Sequence, residues 1–335
     1  MKSAARPRER ELRRSYDLIA GKLAEVESEL MRLCDSPVAT ISKIGDYLRS
    51  GGGKRIRPAL LLLAAKLLGY EEGAADIRYA AVVEFIHAAT LVHDDIIDEA
   101  KLRRGRESVN ARWGNNLTVL FGDYLYTKSM GVALEEGNLQ ILKILSSTTL
   151  AMIEGEIIAL EREGDVELDA EGALGIIQRK TAELFSAACR IPAHFAPDGG
   201  AEASERLGEY GRRLGISFQL IDDLLDYTAR EAVVGKPVLS DLREGKLTMP
   251  LILSLPQATP AERGKIARVL KERKFESVSP FEVLAIVDRY DGIPRTRELA
   301  LANARAASEP LAAFPASEAR EALLLAAEGL VERIS

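Results

Sequence analysis

Apolar residues in this chain return at steps of three and four. Ile19, Leu23, Val26, Leu30 and Leu33 set the pattern near the start, and the same period recurs almost everywhere downstream, as a helix with one apolar face requires. Alternating strand-like stretches are scarce and aromatic residues make up only 5%. Ala, Leu, Glu and Arg dominate the stretches after Gly172 and after Pro280, which favours helix over sheet. The expected fold class is all-α. Breaks fall at 51–53, 71–76, 161–169, 197–200, 235–237 and 259–260, each read as an interhelical loop. None is a linker long enough to separate domains, so 1–335 is read as one helical domain, with 1–14 as a mobile lead-in.

Two segments load this apolar pattern with charge. VHDDIID (92–98) and LIDDLLD (220–226) each close an apolar run with Asp-Asp-x-x-Asp. Residues four apart on a helix share a face, with Cβ atoms ~5–6 Å apart. Asp94 and Asp98 therefore project together with Asp95 beside them, and Asp222 and Asp226 do so with Asp223. Carboxylates at this spacing repel, and the apolar runs before them place each cluster toward a helix C-terminus, where the macrodipole also disfavours them. A cation must compensate. Hard oxygen ligands so grouped suit Mg²⁺, which keeps waters and shares its shell with substrate phosphate. A solvated acidic face would explain one such cluster, but two, both inside runs such as FIHAATLV and ISFQL, fit it poorly.

Basic residues supply the complement. GGGKRIRP (51–58) sets three glycines before Lys54, Arg55 and Arg57, so the backbone can approach an anion while the side chains give charge-assisted hydrogen bonds. It lacks the ending of a nucleotide-binding P-loop. Arg103 and Arg104 follow the first acidic cluster; Lys180, Thr181, Lys236 and Lys246 are further candidates. Gln219 shares a helix face with Asp222, and His87 lies on a face related to that of Asp94. Taken singly, each of these basic residues reads first as a surface charge and His87 as a satisfied core residue, while Gln219 could equally be structural.

Other functions are disfavoured. A net charge of -6, from 45 basic and 51 acidic residues interspersed, creates no field for nucleic acid or an anionic membrane. Cys34, Cys189 and three histidines make neither a disulfide framework nor a zinc site, and fit a cytoplasmic protein. The longest apolar run, 59–65, is far shorter than the ~20 residues of a transmembrane helix.

Taken together, GGGKRIRP, IHAATLVHDDIIDEAKLRRG, FGDYLY, EGE, QRKTAELF, GISFQLIDDLLDY and GKPVLSDLREGKLTMPL resemble the trans-polyprenyl diphosphate synthases over most of the chain. The resemblance implies a helical bundle around a deep central cavity, a homodimer, and Mg²⁺ in three copies with substrate bound. It implies that Asp94, Asp95, Asp98 and Asp222, and less directly Asp223 and Asp226, hold the metal. By the same resemblance Arg103, Lys180, Thr181, Gln219 and Lys236 contact an allylic diphosphate, while Lys54, Arg57, His87 and Arg104 bind isopentenyl diphosphate. The physical logic agrees: diphosphate leaves only when its developing charge is neutralised, which metal ions with Arg and Lys can do. Asp94, Asp95, Asp98, Asp222, Arg103, Lys180 and Lys236 are then the catalytic set.

Product length is read from the helix before Asp94, since one turn advances ~5.4 Å, roughly one isoprene unit. Ala89 and Thr90, one turn back, are small where relatives that stop at farnesyl commonly place an aromatic ring. Phe85 and Ile86 lie two turns back, and spacing does not say whether Phe85 points into the product tunnel or into the core. Tyr126, Met130 and Met152 could also form a floor. The reading is a long product, hexaprenyl to decaprenyl, for quinone side chains. Geranylgeranyl or farnesyl synthesis, or a subunit of a heteromeric prenyltransferase acting through its partner, stay as alternatives. The second Asp-Asp-x-x-Asp argues against a terpene cyclase.

Overall fold

The computed structural model describes residues 16–103, 105–228 and 238–332. The lead-in expected at 1–14, the break at 235–237, and Arg104 and Lys236 lie outside the described residues. Helices carry nearly all of the described chain, which is the expected all-α class, and the one sheet among the described residues is a pair of two-residue strands.

In order, the elements are α1 (Ala20–Cys34), α2 (Ala39–Ser50), α3 (Ile56–Leu67), α4 (Ala75–Ile97), β1 (Leu102–Arg103), β2 (Arg106–Glu107), α5 (Val109–Trp113), α6 (Asn115–Glu135) and α7 (Leu139–Glu161). After α8 (Ala170–Ile177) comes a π-helical turn, Gln178–Ala182, then α9 (Glu183–Arg190) and α10 (Ala201–Thr228). The remainder is α11 (Ser240–Arg243), α12 (Met249–Ser254), α13 (Pro260–Glu272), α14 (Pro280–Arg289), α15 (Gly292–Ser308) and α16 (Glu318–Glu332). No helix among the described residues is long and apolar enough to cross a membrane.

The chain forms two compact units. The first comprises Met1–Thr149, Leu184–Gly211 and Pro310–Ala326. Its core is α4, which packs most extensively on α6, then on α3 and α1. Ile77, Phe85, Ile86, Ala89 and Val92 of α4 are buried, as is the whole apolar run of α3; each such large side chain contributes roughly 1.5–3 kcal/mol. Where α6 meets α4, a Cβ on Gly122 would lie 2.2 Å from Nε2 of His93. Glycine at this position leaves space for the His93 ring, one residue before Asp94. At the other end of α4, Lys22 of α1 pairs with the fully buried Asp76 at 2.6 Å.

The second unit comprises Leu150–Glu183, Arg212–Glu309 and Ala327–Ser335. Here α12 packs on α15, and a Cβ on Gly292 would come within 2.2 Å of the Pro250 carbonyl oxygen. Helices α13 and α14 open with capping boxes, Thr259 with Glu262 and Ser279 with Glu282, each with proline in the first turn.

Candidate active site

In the first unit, Asp94 and Asp95 occupy the last turn of α4 and Asp98 is its C-cap. The left-handed Glu99 (φ 49°) then turns the chain into the hairpin. Asp95 is 1% exposed, and its Oδ1 accepts from Nε of Arg103 at 2.6 Å. Its backbone oxygen accepts from Nδ2 of Asn110 at 2.9 Å. The cation required at this helix end is thus Arg103, delivered by the short hairpin in which Leu102 faces Glu107 and Arg103 faces Arg106.

Of the three basic residues after the glycine loop, Arg55 is committed within the fold. It takes a left-handed backbone (φ 48°), and its guanidinium donates to Glu27 of α1 at 2.5 and 3.2 Å and to Glu84 of α4 at 2.7 Å. Lys54 is exposed. Arg57 stacks over the Phe185 ring at 4.5 Å, its buried Nε has no hydrogen-bond partner, and burial pulls its pKa down to about 10. A buried guanidinium nitrogen of this kind suits an anionic ligand. A cavity of about 110 Å³ gathers His87, Asp95, Arg103, Gly51 and Gly52 on its wall.

The second unit holds the other triplet near the end of α10. Asp222 is exposed, Asp223 buried and Asp226 half-buried. Asp223 accepts from Nε2 of Gln219 at 3.1 Å and from the Met249 N–H at 3.5 Å. Burial, the largest cause, pushes its carboxyl up to about 7 against those bonds, with Asp222 and Asp226 adding to the rise. Asp226 accepts from the N–H and Oγ of Ser240 at 3.0 and 2.7 Å and from the Asp241 N–H at 3.2 Å.

Lys180 and Thr181 sit on the π-helical turn, a form that often marks functional sites. Thr181 donates to Oε1 of Gln219 at 3.0 Å, which links the turn to Asp223. Lys180 pairs with Glu156 of α7. A Cβ on Gly155 would lie 2.9 Å from the Lys180 nitrogen, so the glycine of EGE lets α7 reach the turn and its second glutamate takes the lysine. Glu156 had no role in the sequence reading, although the motif containing it was visible there.

The product-length residues divide. Phe85 lines the cavity that His87 and Asp95 also line, together with Glu84, Ala88 and Leu91, whereas Ile86, Ala89 and Thr90 are not on that wall. The helix explains the split, because nine residues at about 100° each put Phe85 half a turn away from Asp94. Ile86 and Ala89 are buried, and the Thr90 hydroxyl donates to the His87 carbonyl at 2.8 Å.

The donor chemistry of both triplets fits a hard divalent ion. Among the described residues no group of three or more His, Cys, Asp or Glu side chains is arranged to hold a metal ion by itself.

Residues 38–285 match the family described as Polyprenyl synthetase. Octaprenyl diphosphate synthase of Escherichia coli (strain K12) is 38% identical over 324 residues, covering 96% of this chain and 99% of that one. Among solved structures, a decaprenyl diphosphate synthase from Rhodobacter capsulatus superposes with a TM-score of 0.90 at 35% identity, covering 97% of this chain and 99% of that one. A polyprenyl synthase from Caulobacter crescentus CB15, complexed with calcium and isoprenyl diphosphate, gives 0.89 at 35% identity, covering 97% and 98%.

Proposed function

The chain belongs to the polyprenyl synthetase family, and from that premise we propose that this prenyltransferase condenses isopentenyl diphosphate with an allylic diphosphate into a hexaprenyl to decaprenyl diphosphate for quinone side chains. The observation that carries the reading is the Asp95–Arg103 pair at the end of α4, on one cavity wall with His87. Carboxylate, guanidinium and imidazole gathered in this way suit a metal-bound diphosphate.

Asp94, Asp95, Asp98, Asp222, Asp223 and Asp226 hold Mg²⁺, three ions when substrate is present. Bound Mg²⁺ supplies charge stabilisation for the departing diphosphate. Arg103, Lys180, Thr181, Gln219 and Lys236 orient the allylic diphosphate; the Arg103–Asp95 and Lys180–Glu156 pairs support this by restraining both cations before substrate binds. Lys54, Arg57, His87 and Arg104 hold isopentenyl diphosphate, so that its double bond attacks the allylic cation. A proton is then lost, and the departed diphosphate can accept it. Arg55 is read as a structural residue, because three of its five N–H donors already go to Glu27 and Glu84.

The growing chain passes the small side chains of Thr90 and Ala89 toward Ile86, which lies two turns before the aspartates. Residues 1–335 act as a single catalytic domain, in the cytoplasm, as a homodimer. Leu150, Ile153, Ile157 and Leu160 support the dimer, since they recur on α7 at steps of three and four and are 40–58% exposed.

The test is to incubate the protein with Mg²⁺, farnesyl diphosphate and labelled isopentenyl diphosphate and to size the dephosphorylated products. Hexaprenyl to decaprenyl products are expected, and a series ending at geranylgeranyl would contradict the reading. In the same assay Ala89→Phe should shorten the product while Phe85→Ala leaves its length unchanged.

A further inference from the structure

The hairpin that carries Arg103 is gripped by the C-terminal end of α2. Arg106, the cross-strand neighbour of Arg103, stacks its guanidinium 4.4 Å from the Tyr47 ring centre and donates from Nη1 to Oγ of Ser50 at 3.0 Å. The Tyr47 hydroxyl donates to the backbone oxygen of Glu107 at 2.8 Å. Arg112 lies 4.5 Å from the same ring, and Trp113 meets it edge-on at 4.9 Å. Ser50 in turn donates to the Tyr47 carbonyl at 2.8 Å. The next residues in the chain are Gly51, Gly52, Gly53 and Lys54.

The choice of an aromatic ring as the holder has a physical reason. A carboxylate would bind Arg106 as firmly but would cancel positive charge beside a site that must attract diphosphate. The face of a tyrosine ring attracts guanidinium groups and leaves their charge in place. Tyr47, Gly51, Gly52, Arg106 and Glu107 line the same cavity as His87, Asp95 and Arg103.

We infer that Tyr47 and Arg106 are positioning residues: through the Tyr47–Arg106–Ser50 contacts they staple the hairpin bearing Arg103 to the glycine loop bearing Lys54, placing two diphosphate-binding segments in fixed register. This rests on the diphosphate-binding reading above. Neither residue touches the reacting atoms.

The test compares full-length wild type with Tyr47→Leu, Tyr47→Phe and Arg106→Gln, measuring KM for isopentenyl diphosphate, kcat and thermal midpoint. Loss of one stacked cation contact predicts a rise in KM of about fivefold to thirtyfold for Tyr47→Leu and Arg106→Gln, with kcat and midpoint much less affected. Tyr47→Phe keeps the ring and loses one hydrogen bond, so its KM should fall between wild type and Tyr47→Leu. The inference is overturned if KM is unchanged in both Tyr47→Leu and Arg106→Gln, if Tyr47→Phe is as damaging as Tyr47→Leu, or if midpoint and kcat fall together at constant KM. If Tyr47→Leu does not fold, Arg106→Gln decides by the same criterion. Calorimetric binding of inorganic pyrophosphate separates the two ideas. A wild type that binds it without condensing substrates refutes the reaction, while weaker binding by Arg106→Gln still upholds the staple and equal binding refutes it.

Discussion

Asp95 and Asp223 hold the same place in two copies of one sequence pattern, and the fold treats them differently. Asp95 accepts a charged guanidinium from Arg103. Asp223, as deeply buried, accepts from two neutral donors, the Gln219 amide and the Met249 N–H, and burial pushes its carboxyl up to about 7. The third aspartates differ as well: Asp98 caps the C-terminus of α4, while Asp226 binds the two N–H groups that open α11. Spacing places carboxylates on a helix, but the rest of the chain decides which partners meet them.

The largest expected effect is on turnover. Asp94→Ala and Asp222→Ala should each lower kcat by about a thousandfold if, as proposed, each carboxylate holds metal where leaving-group charge develops. A triplet that tolerates its first aspartate being lost would break the likeness between the two.

Next is a pH effect that should distinguish the middle aspartates. The folded value for Asp223, about 7, lies above its ordinary 3.8. Its protonated form therefore favours the folded state, so this contribution is full below about pH 4 and is lost as pH rises through about 7. In metal-free protein Asp223→Asn should abolish that loss and gain on wild type at high pH by on the order of 1–4 kcal/mol. Urea midpoints across pH would show it, and parallel curves would contradict it.

The smallest effect concerns the third aspartates. Asp226→Ala removes a cap and should cost roughly 0.5–2 kcal/mol in urea denaturation, whereas Asp98→Ala, which removes an acid from a helix C-terminus, should cost less than about 0.5 kcal/mol. Equal losses would erase the distinction.

Much of this was legible in the chain. Three-and-four spacing revealed the helices, and the aspartate patterns marked two helix ends, because both are local periodic signals. The capping signatures Thr259-x-x-Glu262 and Ser279-x-x-Glu282 were equally local and would have placed two helix starts more sharply. Arg55 could not be separated from Lys54 and Arg57 by sequence, since its partners Glu27 and Glu84 lie 28 and 29 residues away. Tyr47 and Arg106 meet across 59 positions, numbered as 106 less 47, and no local pattern announces such a contact. Nor does QRKTA (178–182) distinguish a π-helical turn from ordinary helix.

We propose that both triplets serve one ionisation step, and a double-mutant cycle tests that most directly. Single-turnover rates would be measured for Asp94→Ala, Asp222→Ala and the double variant under saturating Mg²⁺. Residues that act as a unit lose little more when both are removed, so the double variant should lie within about tenfold of the slower single variant. Losses that multiply would show that the triplets work independently and would contradict the account.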